Sequence, residues 1–184
     1  MKRTLRLIFL TICGALLSCN SNGSKRMQAN EAAANKVVQE NLENPVSADT
    51  IKVGQVEKSP EEWKDILTAA EYEILREGGT EPAFQNEYYN NKKEGIYYCA
   101  ACDLPVYSSQ TKFDSGTGWP SFWAPIDSKL VERRQDTRFG MVRTEVICAQ
   151  CNSHFGHIFK NNNVPSGERH CLNSLALNFK EKEL

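Results

Sequence analysis

Two short motifs, Cys99-Ala-Ala-Cys102 and Cys148-Ala-Gln-Cys151, constrain this fold more than any other feature of the chain. Each places two sulfurs one turn apart, the spacing of half a tetrahedral metal site. Brought together, the pairs make an S4 set whose softness and geometry suit zinc or iron–sulfur, and not magnesium or calcium. Such a closed site leaves no open coordination position, so its zinc would pin two parts of a small sheet together. The long interval between the pairs means that a good part of the fold is threaded between the knuckles. Two disulfides, or a redox-active pair, remain alternative readings, because an exported chain can form them. Neither pair, however, has βαβ surroundings.

Seven cysteines require an account of each. Lys2, Arg3 and Arg6 precede a short apolar run from Leu7 to Leu17, too short for the roughly 20 residues that a spanning helix needs. Residues 1–18 therefore read as a signal peptide, which would remove Cys13. Ser18 followed by Cys19 resembles a bacterial lipobox, which implies cleavage before Cys19 and lipid on its sulfur. Ordinary secretory cleavage and a retained anchor are the alternatives. The expected location is extracytoplasmic, on a bacterial membrane, facing the periplasm or the cell surface. The net charge of −1 gives no basic field for nucleic acid, and nothing in the chain suggests a stable oligomer.

Residues 19–58 are rich in Asn, Ser, Glu, Ala and Lys, and read as a tether with a reach of roughly 35 Å. Within it, NEAAANKVVQENLEN has the composition of a short helix. The folded domain is expected over 59–184. Ser59, Pro60 and Glu62 form a capping box with proline at the first helical position. Thr68 and Glu71 repeat the box, and Gly78-Gly79 ends the second helix. Beyond residue 95 the segments GIYYCAAC, RFGMVRTEVIC, GHIF and HCLNSLALNF are strand-like, separated by Gly, Pro, Asn and Ser. The expected class is α+β, mainly antiparallel β, with short N-terminal helices.

Cys171 is the cysteine left over. On one continuous strand Arg169, Cys171, Asn173, Leu175, Leu177 and Phe179 would share a face. A cation beside a thiol favours the thiolate, which is the nucleophile; an inert core cysteine is the competing reading. His154 and His157 directly follow the second knuckle. The loop KFDSGTGWPSFW gathers Trp119, Phe122 and Trp123 into a turn that either caps a small core or forms an aromatic wall for an apolar group.

The segments EGIYYCAACDLPVYSSQTKFDSGTGWPSFW, VICAQCNSHFGHIF and RHCLNSLALNF, in this order, resemble the B-type methionine-R-sulfoxide reductase family from about Ser59 to about Phe179. The resemblance implies two small antiparallel sheets around a structural zinc on Cys99, Cys102, Cys148 and Cys151. It implies reduction of methionine R-sulfoxide, free or in proteins, with Cys171 as nucleophile. In the same way it places His154, His157 and Asn173 around the sulfoxide oxygen, and Arg169 beside the thiolate. Trp119, with Phe159 nearby, becomes the wall for the substrate methyl. Cys171 would be left as a sulfenic acid.

Two stretches depart from the family pattern. Many members carry a second cysteine between the glycines of the Gly-x-Gly-Trp-Pro loop, where this chain has Thr117. A one-cysteine enzyme reduced by an external, exported thioredoxin-like thiol is therefore expected. KNNNV at 160–164 replaces acidic, Gly and Pro residues. His170 is expected to be a packing or rim residue and not a ligand. A zinc-ribbon binding module and a thiol peroxidase or redox sensor are the competing functions.

Overall fold

The computed structural model describes residues 51–183. The expected signal peptide, Cys19 as the expected lipid site, and the helix expected over residues 30–44 lie outside them. Among the described residues no helix is long and apolar enough to cross a membrane.

Among the described residues two helices come first, α1 (Pro60–Ile66) and α2 (Ala69–Glu77). Both capping boxes form. Ser59 Oγ accepts from Glu62 N while Ser59 N donates to the Glu62 carboxylate, and Thr68 and Glu71 do the same. Gly78 closes α2 in the left-handed region at φ 70. The helices clamp the second knuckle: Arg76 stacks 4.8 Å from the buried Trp63 ring and donates to Cys151 O.

Nine strands follow: β1 (Gly95–Cys99), β2 (Pro105–Ser108), β3 (Lys112–Phe113), β4 (Ser121–Phe122), β5 (Val131–Asp136), β6 (Arg143–Cys148), β7 (His154–Lys160), β8 (Glu168–Leu172) and β9 (Leu177–Glu181). They form a three-stranded sheet, β2-β1-β9, and a six-stranded sheet, β3-β4-β8-β7-β6-β5. Every pairing is antiparallel. The protein is thus α+β, mainly β, with two antiparallel sheets, as its sequence led us to expect.

The core lies between the sheets and under the helices. Phe122 packs its ring 5.0 Å from Tyr97 and 4.8 Å from Tyr107. His170 belongs to this core. It is buried on the opposite face of β8 from Cys171, its Nδ1 bonds the Tyr107 hydroxyl at 2.8 Å, and burial pushes its pKa down to about 4.

Two details differ from the expectations. Residues 51–58, assigned to the tether, dock on the domain: Ile51, Val53 and Val56 pack on the core, and Val56 N donates to Gln150 O. Three β-branched residues among charges are too few to mark a folded segment by composition. The open main chain of the second knuckle supplies the missing partners. The continuous strand from Arg169 to Phe179 is also broken. A 3-10 turn at Ser174–Ala176 separates β8 from β9, which pair in different sheets. The Glu81 carboxylate accepts from both Ser174 N and Leu175 N, which draws that turn out of the strand.

Candidate active site and metal centre

Register brings the site together. Ser121 of β4 pairs with Cys171 of β8, which pairs with His157 of β7. Directly paired residues of an antiparallel sheet share a face, so the three side chains form one row. Trp119 precedes Ser121 by two residues and Phe159 follows His157 by two. With β4 and β7 both antiparallel to β8, these aromatics flank Cys171 on opposite sides along the strand.

Gly156 makes this register possible. Its φ is 158, and a Cβ there would stand 2.0 Å from the Cys171 carbonyl oxygen. Any side chain would push β7 off β8 and separate His157 from Cys171. Gly118, at φ 84, serves the aromatic loop similarly, since a Cβ would meet the Phe84 ring at 2.6 Å.

Each histidine is held by a carboxylate. His157 Nε2 bonds Asp136 Oδ2 at 2.8 Å, and His154 Nδ1 bonds Glu145 Oε1 at 2.6 Å. An ionised carboxylate only accepts, so the protons sit on His157 Nε2 and His154 Nδ1. The other nitrogen of each ring is then a bare acceptor. His154 Nε2 is buried and has no protein partner among the described residues. A buried polar atom without a partner is costly and marks a position suited to a water or a substrate atom. Burial lowers both histidine pKa values and outweighs the carboxylates that raise them, so both rings are neutral at pH 7.

Asp136 was missed by the sequence reading. It is buried and accepts from Arg138 N, Arg138 Nε, Arg143 Nη2 and His157. These donors hold its carboxyl well below the usual range despite burial. Asp136 ends a polar strand, and only the β5-β6-β7 pairing brings it to His157.

Cys171 is half-buried. Burial pushes its thiol pKa up, opposed by Arg169 and by the Thr117 and Ser121 hydroxyls. The expected thiolate-favouring effect of Arg169 is therefore present but outweighed. Arg169 is fixed between the Phe159 ring, at 4.8 Å, and Thr117 Oγ1, which accepts from Nη1 at 3.0 Å. Thr117 Oγ1 lies 2.8 Å from Ser115 Oγ, to which Ser121 Oγ donates at 2.8 Å. The place of a second thiol is thus taken by a chain of hydroxyls.

Asn173 is engaged with the main chain. It is 3% exposed, donates from Nδ2 to Phe155 O, and accepts at Oδ1 from Glu81 N. It braces β7 against the Glu81 loop. That loop also orients Trp119, whose indole N–H donates to Glu81 O at 2.9 Å.

The four knuckle cysteines converge. Their sulfurs lie within 4.8 Å of one another, with Cys99–Cys151 and Cys102–Cys148 both at 3.6 Å. A zinc–sulfur bond of ~2.3 Å implies tetrahedron edges of roughly 3.8 Å, so the set fits that ion. Both knuckles use one local structure. Asp103 N donates to Cys99 O and Asn152 N to Cys148 O, with Asp103 and Asn152 left-handed at φ 57 and 60. Asp and Asn tolerate that conformation best among residues with a side chain. One knuckle ends β1 and the other β6, so the cluster joins the two sheets.

A family model described as the SelR domain matches residues 67–181. The chain is 52% identical over 128 residues to a peptide methionine sulfoxide reductase MsrB of Methanosarcina barkeri, covering 70% of this chain and 90% of the relative. It is 49% identical over 130 residues to one of Pseudomonas putida strain W619, covering 70% and 97%. A third such relative, from Synechococcus sp. strain RCC307, is 48% identical over 127 residues, covering 69% and 93%.

Proposed function

The chain belongs to the methionine-R-sulfoxide reductase B family, and from that premise we propose that it reduces methionine R-sulfoxide to methionine through Cys171. The observation that carries the reading is the registered row of Ser121, Cys171 and His157, flanked by Trp119 and Phe159.

The sulfur of Cys171 attacks the sulfoxide sulfur, and the sulfoxide oxygen takes up a proton. Oxygen passes to Cys171, so a thiol and a sulfoxide become a sulfenic acid and a thioether. The proton comes from His157 or from water held by the histidine pair. Trp119, fixed by its indole N–H, holds the S-methyl and orients the sulfur for attack. Two external thiols then reduce the sulfenic acid, releasing water and a disulfide and restoring Cys171. With a hydroxyl at Thr117, this donor is an exported thioredoxin-like protein. The four knuckle sulfurs hold zinc, whose contribution is to the fold. The domain is monomeric, is anchored by lipid on Cys19, and repairs oxidised exported proteins. Replacing Cys19 with alanine should abolish acylation, read by intact mass.

Epimer-resolved turnover of a methionine sulfoxide peptide, with dithiothreitol as donor, tests the reading. Only the R form should be consumed; equal turnover of both epimers sinks the stereochemical assignment. Without a donor, one methionine per chain should appear together with a single added oxygen on Cys171. A disulfide at that stage would refute the one-cysteine cycle.

The pH dependence has a definite sign. The competent pair is a Cys171 thiolate with a protonated His157. The thiol pKa is raised and the histidine pKa lowered. Between those values the pair is a minor but pH-independent fraction, because one form gains what the other loses. Replacing Asp136 with asparagine lowers the His157 pKa further. The plateau of kcat/KM should fall by about tenfold per pKa unit, and the acid limb should move to lower pH. An unchanged profile would remove His157 from proton transfer.

A further inference from the structure

The turn between β5 and β6 displays apolar side chains that neither the fold nor the reaction uses. Phe139 is 82% exposed, Val142 75% and Met141 about half. Of the seven exposed large hydrophobics among the described residues, these three fall within four positions. The turn is not a loose loop. Phe139 and Gly140 are consecutive left-handed residues, at φ 58 and 70, a strained conformation for an aromatic. Asp136 fixes it from below by accepting from Arg138 and Arg143, and the Arg143 guanidinium lies 6.0 Å from the Phe139 ring.

The same Asp136 carboxylate holds His157, so the turn and the site share one anchor. Between them stands Phe159. Thr144 pairs with Ile158, which sets Arg143 beside Phe159, and Phe159 is 39% exposed next to Arg169. Neighbouring strands stand about 4.8 Å apart, so β6 and β5 lie roughly 10–14 Å from the Cys171 strand. His157, the partner of Cys171, pairs with Glu145, and Val142 lies three residues beyond Glu145, roughly 10 Å further along β6. The two offsets combine to roughly 14–20 Å, which an extended peptide spans in about four to six residues at ~3.3 Å each.

We propose that the Phe139–Val142 turn docks an apolar side chain of a polypeptide substrate, four to six residues from the methionine sulfoxide. The inference rests on the reductase reading above and names the substrate class of that site: extended segments with apolar flanks. Methionines of protein cores have such neighbours, and oxidation makes the side chain polar and disrupts the packing that hid them. Arg138 and Arg143 are already engaged by Asp136, so the turn offers apolar contact and not an anion site.

The test uses 13-residue peptides with a central methionine R-sulfoxide in a Gly/Ser background, with leucine at one position from 1 to 6 on either side, and N-acetylmethionine R-sulfoxide amide. Wild type should show kcat/KM about tenfold higher for leucine at one of positions 4 to 6 on one side, mainly through KM. The Phe139→Asn/Val142→Thr double variant should lose that preference and turn over the amide at the wild-type rate. Asparagine accepts the left-handed conformation and threonine keeps the shape, so the fold should survive; Val142→Thr alone should still lose about threefold of the preference. A preference retained in the variants, or absent in wild type, overturns the proposal. So does a preference that is unchanged while the variant loses binding to phosphatidylglycerol/phosphatidylethanolamine vesicles, or while a wild-type dimer dissociates: the turn would then face lipid or a second copy. Failure of wild type on the amide as well sinks the reductase reading itself.

Discussion

Replacing Cys171 with serine lowers turnover of methionine R-sulfoxide by a factor on the order of 10³ or more. Serine fits the same strand position and the same Thr117, Ser121 and Arg169 surroundings, so the fold and the substrate wall should persist. The chemistry is lost because a hydroxyl ionises far less readily and its oxygen cannot take up a second oxygen as sulfur does. Circular dichroism should overlay wild type while the R-epimer assay falls to background. Activity within tenfold of wild type would show that another group attacks. Arg169→Gln is the graded companion. Removing the cation leaves burial unopposed by it, so the thiol pKa rises further, and iodoacetamide alkylation of Cys171 at pH 7.5 should slow by about tenfold per unit.

Removing metal from the knuckles should unfold or nearly unfold the domain. Zinc bound by four thiolates contributes about 10–16 kcal/mol to small structural sites, and the net stability of a domain is only about 5–15 kcal/mol. Here the cluster joins the end of β1 in one sheet to the end of β6 in the other, and α2 bonds the second knuckle through Arg76. Its loss therefore releases the sheets from each other and the helices from both. Purified protein should carry one zinc per chain. A strong chelator, or Cys148→Ser, should abolish the cooperative thermal transition or lower its midpoint by tens of degrees. An unchanged midpoint, or two disulfides in place of zinc, would overturn this account of the cluster.

Local signals were legible along the chain wherever the physics is local. The two capping boxes, the glycine closing α2 and the paired turns of the knuckles each need only a few neighbouring residues. Those parts of the expectation hold. The continuous strand from Arg169 failed because Glu81, far away in sequence, takes the amides of Ser174 and Leu175. The docking of residues 51–58 was hidden for the same reason, since the bonding partner of Val56 is the distant Gln150.

By itself, the order of residues determined the two cysteine pairs, the mainly antiparallel class and the place of Cys171 outside both pairs, because each follows from residue type and short spacing. Tertiary structure alone decided which carboxylates hold the two histidines, how far burial offsets Arg169, and that an apolar turn shares its anchor with His157. Those are consequences of strand register and of exclusion from water, which arise only when segments distant along the chain lie side by side.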